Sequence, residues 1–124
     1  MQGHKDLIAW QKAMDLVVDV YRATKLLPKE ETYGLVSQMR RAAVSVPSNL
    51  AEGHGRSSKK EFHLFIGNAR GSLLEPETQI ELSQRLGYLS SSEAKSLLGK
   101  TAEVGRILTG LRTWSRGASA GSER

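Results

Sequence analysis

Residues 40–56 read RRAAVSVPSNLAEGHGR. The stretch opens with two adjacent arginines, Arg40 and Arg41, and runs through small residues to Pro47, which stands inside a helical pattern. Apolar residues three or four positions apart predict an amphipathic helix here. Because the apolar stripe continues beyond the proline to Leu50, we expect Pro47 to kink the helix rather than end it. The Gly-x-Gly-Arg ending then predicts the C-terminus of this helix.

The same periodicity predicts four helices in all. They run from Asp6 to Lys25, from Glu31 to Glu52, from Ser58 to Leu86, and onward from Ser90. The last two begin with a serine followed three residues later by a glutamate, which is a capping box. No alternating apolar run of useful length predicts a strand. The predicted fold is therefore all-α, an antiparallel up-down-up-down four-helix bundle over residues 1–115.

Each predicted helix has a stripe of apolar residues that we expect to face the core. In the first helix the stripe is Leu7, Trp10, Met14, Val17 and Tyr21. In the second it is Leu35, Met39, Ala42, Val46 and Asn49 or Leu50. In the third it is Phe62, Ile66, Ala69, Leu73, Ile80 and Leu86, and in the fourth it is Leu97, Val104, Leu108 and Leu111. Residues 116–124 lack an apolar anchor, which predicts a disordered C-terminal tail.

The composition bounds the class of protein. A chain of 124 residues is long enough for one domain with its own core. It has no cysteine, which excludes disulfides and thiolate metal sites and is typical of a reducing compartment. We see neither a signal peptide nor a transmembrane segment, so we expect a cytoplasmic protein with no membrane partner. The net charge of +5 and the pI of about 9.7 favour anionic partners, nucleic acid first among them.

Several segments together resemble the four helix bundle protein family. This family was first noticed as reading frames in intervening sequences of bacterial large-subunit ribosomal RNA genes, and it includes accessory proteins of diversity-generating retroelements. The most specific segment is Ser45-Val46-Pro47-Ser48-Asn49-Leu50-Ala51-Glu52-Gly53, with Gly55-Arg56. Further matches are Leu7, Trp10-Gln11-Lys12-Ala13, Tyr33-Gly34-Leu35, Ser37 to Ala42, Phe62, Phe65, Ala69, Gly71-Ser72-Leu73, Glu77-Thr78-Gln79 and Leu86-Gly87-Tyr88.

The resemblance implies a bundle that assembles as a homopentamer, with a central channel and a basic outer surface. Its retroelement members work beside a reverse transcriptase and bind nucleic acid, which makes RNA or DNA and a reverse transcriptase the implied partners. It implies no catalytic residues and no cofactor. The chain departs from the family pattern at Pro76, where an aliphatic residue is usual. We expect Pro76 to remove the hydrogen bond to the Ser72 carbonyl and to bend the third helix.

Basic residues dominate the segment between Val36 and Lys60, in which only Glu52 is acidic. The guanidinium fork suits phosphate oxygens, and phosphate contacts provide affinity without reading a base sequence. The candidate nucleic-acid-binding residues are Arg40, Arg41, Arg56, Lys59 and Lys60. The alternative is structural, because Arg40 or Arg41 could pair with Glu52 or Glu77 within the bundle or between subunits.

The sequence is also compatible with other functions. The spacing of Arg56 and His63 is similar to the Arg-x4-6-His signature of HEPN ribonucleases, in which a histidine serves as general acid or base. A scaffold that binds other proteins, without a direct role in nucleic-acid binding, is a third class. Asn49 and Glu52 could form a small polar site, or Asn49 could fix the chain while Glu52 pairs with an arginine. The chain has no Glu-x-x-His motif, so a bundle-type metal site is not predicted.

Overall fold

Five α-helical segments form the protein in a computed structural model. It describes the backbone of residues 3–122 and the side chains of residues 3–116. The segments are α1 Ile8–Thr24, α2 Ser37–His54, α3 Lys59–Ser72, α4 Leu74–Arg85 and α5 Ser91–Ser122. Short 3₁₀ turns occur at His4–Asp6 and Lys29–Glu31, and a π-type turn at Thr32–Val36. No strand occurs within residues 3–122.

The helices pack as a four-membered bundle in which α3 and α4 are two segments of the third helix. Helix α1 packs against α2 and α5, and the α3–α4 unit packs against the same two helices. Helices α1 and α5 are antiparallel, because Lys12 Nζ lies 3.7 Å from Glu103 Oε1 while the later Asp19 pairs with the earlier Lys100. The predicted all-α bundle is thus confirmed.

The core takes a different face of α1 from the predicted one. The buried residues of this helix are Ala9, Ala13, Leu16, Val20 and Thr24. Of the predicted stripe only Leu7, just before the helix, is buried; Trp10 and Val17 are partly buried, and Met14 and Tyr21 are 38% and 40% exposed. Two apolar rows lie side by side on α1, and the row containing the alanines lets its backbone approach its neighbours. The predicted stripe is therefore wrong by about one residue.

The chain enters α2 through an irregular segment rather than through a regular helix starting near Glu31. Gly34 has φ −105° and ψ −111°, outside the helical region, and α2 begins only at Ser37. The carboxylate of Glu31 accepts a hydrogen bond from the Leu35 amide at 3.3 Å and one from the Tyr88 hydroxyl at 3.0 Å. A Cβ at Gly34 would lie 2.8 Å from Glu31 Oε1, so a side chain there would displace this cap. The bond to the carboxylate raises the pKa of Tyr88 above its ordinary value of 10.0.

The two prolines inside the helices have different consequences. Helix α2 continues through the buried Pro47 to His54, in agreement with the sequence. The third helix is instead interrupted at Leu73, three residues before Pro76, and α4 begins at Leu74. Proline has no N–H to bond the Ser72 carbonyl, which accounts for the interruption.

The ends of the helices follow the predicted signals with three differences. Leu86 was predicted to be buried but is half exposed, because the helix ends at Arg85 and the chain turns through Gly87 with φ 81°. The α2 C-cap Gly55 has φ −78°, so this end does not use the left-handed conformation. Helix α5 runs to Ser122 and includes part of the predicted tail. Residues 123–124 and the side chains beyond Arg116 lie outside the description, and disorder there stays a prediction.

Candidate nucleic-acid interface

The junction between α2 and α3 carries three of the five candidate residues. A Cβ at the buried Gly53 would collide with the Cβ of Phe65, so glycine lets these two helices meet just before the turn. Helix α3 then begins with Ser58, whose Oγ accepts from the Glu61 amide at 3.1 Å. This close packing and this cap fix the short segment between His54 and Lys59.

Arg56 is held at the junction by acidic and aromatic partners. Its Nη2 lies 2.8 Å from Glu52 Oε1, and its Nε lies 4.0 Å from Glu61 Oε2. Its guanidinium carbon lies 5.1 Å from the centre of the Phe65 ring. The predicted alternative for Glu52, pairing with an arginine, is confirmed. The positive charge of Arg56 is therefore partly compensated, although its side chain is exposed.

The two lysines of the junction are more available. Lys59 Nζ lies 5.8 Å from the centre of the Trp114 ring, so this cation reaches across to α5. Lys60 is exposed and has no ion-pair or hydrogen-bond partner among the described side chains. Both stand in the first turn of α3, where the partial positive charge of the helix disfavours cations.

Arg40 is a structural residue of the α1–α2 contact. Its Nε donates to Thr24 Oγ1 at 2.9 Å, and its Nη2 donates to the Tyr21 carbonyl at 3.4 Å. Its guanidinium lies 4.5 Å from the centre of the Tyr21 ring. These partners are a hydroxyl, a carbonyl and a ring. None of them is Glu52 or Glu77, the acids that the sequence suggested as structural partners of Arg40.

Arg41 lies on another side of the bundle. It lines a groove with residues of α2, α3 and α4, among them Ser45, Ser72, Glu75 and Gln79. Within the described part of the chain its side chain has no ion-pair partner at 4.0 Å or less, although Glu75 lines the same groove. The candidate residues thus form one group at the junction, Arg56, Lys59 and Lys60, whereas Arg40 and Arg41 face other elements.

A basic groove between α3 and α5 was missed by the sequence analysis. It occupies about 480 Å³ and is lined by His63, Leu64, Gly67, Asn68, Arg70, Gly71, Leu74 and Arg112. Arg70 is exposed, and Arg112 is partly buried with its Nε shielded and without an acceptor in the described structure. Gly67 is a sequence signal for this groove, because a small residue on a helix permits the close approach of a neighbouring element. In the structure the neighbour is the guanidinium of Arg112.

His63 is fixed by α5 and is not brought into a pair with Arg56. Its Nδ1 lies 2.7 Å from Oγ of the fully buried Ser115, and that hydroxyl donates to the Arg112 carbonyl at 2.9 Å. Arg56 does not line the groove that His63 lines. The geometry therefore gives no support to the ribonuclease pair that the sequence spacing left open.

Asn49 has the structural role that the sequence left as one alternative. Its Nδ2 donates to the Ser45 carbonyl one turn earlier at 2.7 Å, and the side chain is partly buried. Among residues 3–122 no cluster of three or more His, Cys, Asp or Glu side chains could hold a metal ion. Within residues 3–122, no helix combines the length and the hydrophobicity that a membrane span requires.

A known protein family and a solved structure match this chain over most of its length. The family model for the 23S rRNA-intervening sequence protein matches residues 5–110. The chain belongs to the 23S rRNA-intervening sequence protein family. A crystal structure from the S23 ribosomal protein family of Bacteroides thetaiotaomicron, of unknown function, matches with a TM-score of 0.78. The identity is 21%, over 85% of this chain and 98% of that chain, so this likeness shows the fold alone.

A search of curated proteins gave no match. The matched range of the intervening sequence family contains all five candidate residues and also Arg70. Arg112, which lines the α3–α5 groove, and Ser115, which hydrogen-bonds His63 of that groove, lie beyond its last residue, 110. The groove is therefore built partly from a segment outside the family match.

Proposed function

We propose that this intervening sequence protein is a non-catalytic, cytoplasmic RNA- or DNA-binding protein that acts as a homo-oligomer. The contact surface is the α2–α3 junction, with Arg56, Lys59 and Lys60 as its cations. Arg41 adds to affinity from another side of the bundle, and Arg40 contributes through the stability of the bundle. The family is named after intervening sequences of 23S rRNA, which makes RNA the first nucleic acid to test.

The observation that carries this proposal is the position of Lys59 and Lys60 in the first turn of α3. Cations there oppose the helix dipole, and each typically costs about 0.3–1 kcal/mol. Lys60 has no acid partner among the described residues, so no ion pair offsets that cost. A bound anion at the junction would make the position of these lysines favourable rather than costly, because helix N-termini and cations both attract phosphate. Phosphate-backbone contacts of this kind weaken steeply with salt.

Self-association is part of the proposal, and a pentamer is the expected state from the family resemblance. It is supported by two large apolar side chains, one turn apart at the end of α4, that are exposed in the single chain, Leu82 (44%) and Leu86 (50%). Exposed apolar area of this kind is typical of an interface. Native mass spectrometry counts the subunits directly, and a Leu82→Glu, Leu86→Glu double variant should shift the mass to the monomer. A monomeric wild-type protein would contradict this part.

The test of nucleic-acid binding is a salt series with a structured RNA and a DNA duplex. Replacing Arg56, Lys59 and Lys60 with alanine should reduce the slope of log affinity against log salt by about one unit per residue. The matched control replaces Arg85, Lys25 and Lys29, three exposed cations elsewhere. If both triple variants weaken binding equally, the junction is not the contact surface. If the wild-type protein binds neither polymer at low salt, the proposal fails for the isolated protein.

The implied partner enzyme is a reverse transcriptase, and it calls for a separate experiment. Co-expression with the reverse transcriptase encoded nearest to the gene, followed by affinity purification, should recover both proteins in nuclease-treated extracts. Recovery only before nuclease treatment would mean that nucleic acid bridges them. Recovery from treated extracts by a wild-type protein that binds no nucleic acid would favour the scaffold role instead.

A further inference from the structure

The groove between α3 and α5 concentrates positive charge without a balancing acid. Arg70 and Arg112 line it with His63 and Asn68, and none of its lining residues is Asp or Glu. The adjoining groove on the other side of Arg70 contains Glu77, but no ion pair within 4.0 Å joins these two side chains. The two guanidinium groups are therefore unneutralised within the described chain.

Arg112 is the most unusual cation of the described structure. Its Nε is shielded from solvent and has no hydrogen-bond acceptor. A Cβ at Gly67 would lie 3.5 Å from this nitrogen and 4.0 Å from Nη2, so the guanidinium lies along the surface of α3 at the glycine. A shielded donor on a charged group costs free energy unless an acceptor or an anion is nearby. By contrast, Arg40 and Arg56 each have acceptors.

His63 is oriented by a short chain of hydrogen bonds. The single hydrogen of the Ser115 hydroxyl is used by the Arg112 carbonyl at 2.9 Å, so Ser115 Oγ accepts from His63 Nδ1–H at 2.7 Å. The other ring nitrogen, Nε2, has no partner among the described residues. It carries a lone pair in the neutral ring and a hydrogen in the protonated ring. Ser115 thus fixes the histidine beside the two arginines.

We propose that the α3–α5 groove is a binding site for a phosphate group, with Arg112 and Arg70 as its charged donors. Two planar guanidinium groups provide forked donors that match the oxygens of phosphate. Asn68 adds an amide donor, and His63 adds Nε2–H when it is protonated. The guanidinium of Arg112 lies against Gly67, whereas the space over Gly71 is open and admits a tetrahedral group to the groove. This site does not rest on the proposed function, since it requires only a phosphate group.

The direct test is NMR of the arginine Nε–Hε signals while inorganic phosphate is added at constant ionic strength. The Arg112 signal should shift with phosphate and remain unchanged when chloride replaces it. Arg70→Ala removes an exposed residue and should weaken phosphate binding by roughly tenfold or more, the size of one charge-assisted hydrogen bond. The matched control, Arg85→Ala, removes an exposed arginine outside the groove and should leave the affinity unchanged. Arg112→Lys keeps the charge but loses the fork, and should also weaken binding.

Competition then identifies the source of the phosphate group. The competitors are one short RNA with a 5′-phosphate and the same RNA with a 5′-hydroxyl. Competition by the 5′-phosphate form alone assigns a terminal phosphate, equal competition by both assigns the backbone, and competition by neither assigns a free phosphate or small phosphate ester. Each result agrees with the site, provided that inorganic phosphate shifts the Arg112 signal. No phosphate-specific shift, or equal weakening by Arg70→Ala and Arg85→Ala, would overturn it, whether or not the α2–α3 junction binds nucleic acid.

Discussion

The α2–α3 junction and the α3–α5 groove are both basic, but they hold their cations in opposite ways. At the junction the cations are exposed, and Arg56 lies beside Glu52 and Glu61. In the groove Arg112 is partly buried, its Nε is shielded, and no acid lines the space. Exposed, partly compensated charge gives a diffuse attraction that salt screens. Shielded, uncompensated charge gives a site for one group of defined shape.

The largest effect should come from breaking the packing that builds the junction. Gly53→Ala places a Cβ against the Cβ of Phe65, so α2 and α3 must move apart. We expect a loss of roughly 2–3 kcal/mol in the free energy of unfolding, which is in the range for overpacked cores. Urea denaturation measures it. The control, Gly99→Ala, lies in open space on α5 and should stabilise the protein by up to about 1 kcal/mol. Equal stability of the two variants would contradict the role of Gly53.

The adjacent pair Arg40 and Arg41 separates stability from binding. Arg40→Ala loses the hydrogen bond to Thr24 and the contact with the Tyr21 ring, and should lower the free energy of unfolding by about 1–2 kcal/mol. Arg41 is exposed, so the free energy of unfolding of Arg41→Ala should stay within about 0.5 kcal/mol of wild type. Thermal unfolding and RNA binding should be measured on both. An Arg40 variant that loses RNA affinity at unchanged stability would return Arg40 to the binding surface.

The helices were predictable because their signals are local. The capping boxes at Ser58 and Ser90, the stop at Gly87 and the interruption before Pro76 each depend on residues within one or two turns. The buried face of α1 was not predictable in the same way, because two apolar rows are adjacent in its sequence. Only the packing of its neighbours selects the row that contains Ala13 rather than the row that contains Met14.

The candidate site was harder to predict because its partners are distant in sequence. Arg40 binds groups 16 and 19 residues earlier, so the run of basic residues could not reveal that it faces α1. The contact between His63 and Ser115 spans 52 residues. The α3–α5 groove exists only once two antiparallel helices are in register. The residue types thus showed which side chains carry positive charge, and the tertiary structure showed which of these side chains have partners within the described chain.

A smaller effect should follow from releasing Arg56 at the junction. Glu52→Gln combined with Glu61→Gln removes both carboxylates near the guanidinium. We expect RNA affinity at low salt to rise by roughly fivefold, since Arg56 and its lysine neighbours then act uncompensated. Stability should change by less than about 1 kcal/mol, because exposed ion pairs contribute little. The control, Glu30→Gln with Glu81→Gln, makes the same charge change elsewhere. An equal rise in the control would mean that net charge alone sets the affinity.

The smallest effect concerns the two capping boxes. The glutamate of one lies toward an arginine, and the glutamate of the other bonds its own cap. At α3 the Glu61 carboxylate lies toward Arg56, whereas at α5 Glu93 Oε1 accepts from the Ser90 amide at 2.7 Å and its own amide donates to Ser90 Oγ at 3.0 Å. The bond from the Ser90 amide, followed by the Ser90 side chain, lowers the pKa of Glu93 below its ordinary value of 4.5.

A lowered pKa in the folded state gives a stabilisation that is present above the unfolded-state pKa and is lost as the pH falls through the folded-state value. Glu93→Gln keeps an acceptor for the Ser90 amide but removes the charge. The variant should therefore be less stable than wild type at neutral pH, and the difference should shrink as the pH falls below 4.5. Urea denaturation of both proteins across this range measures it. A difference that stays constant from neutral to acidic pH would mean that the ionised carboxylate does not carry the cap of α5.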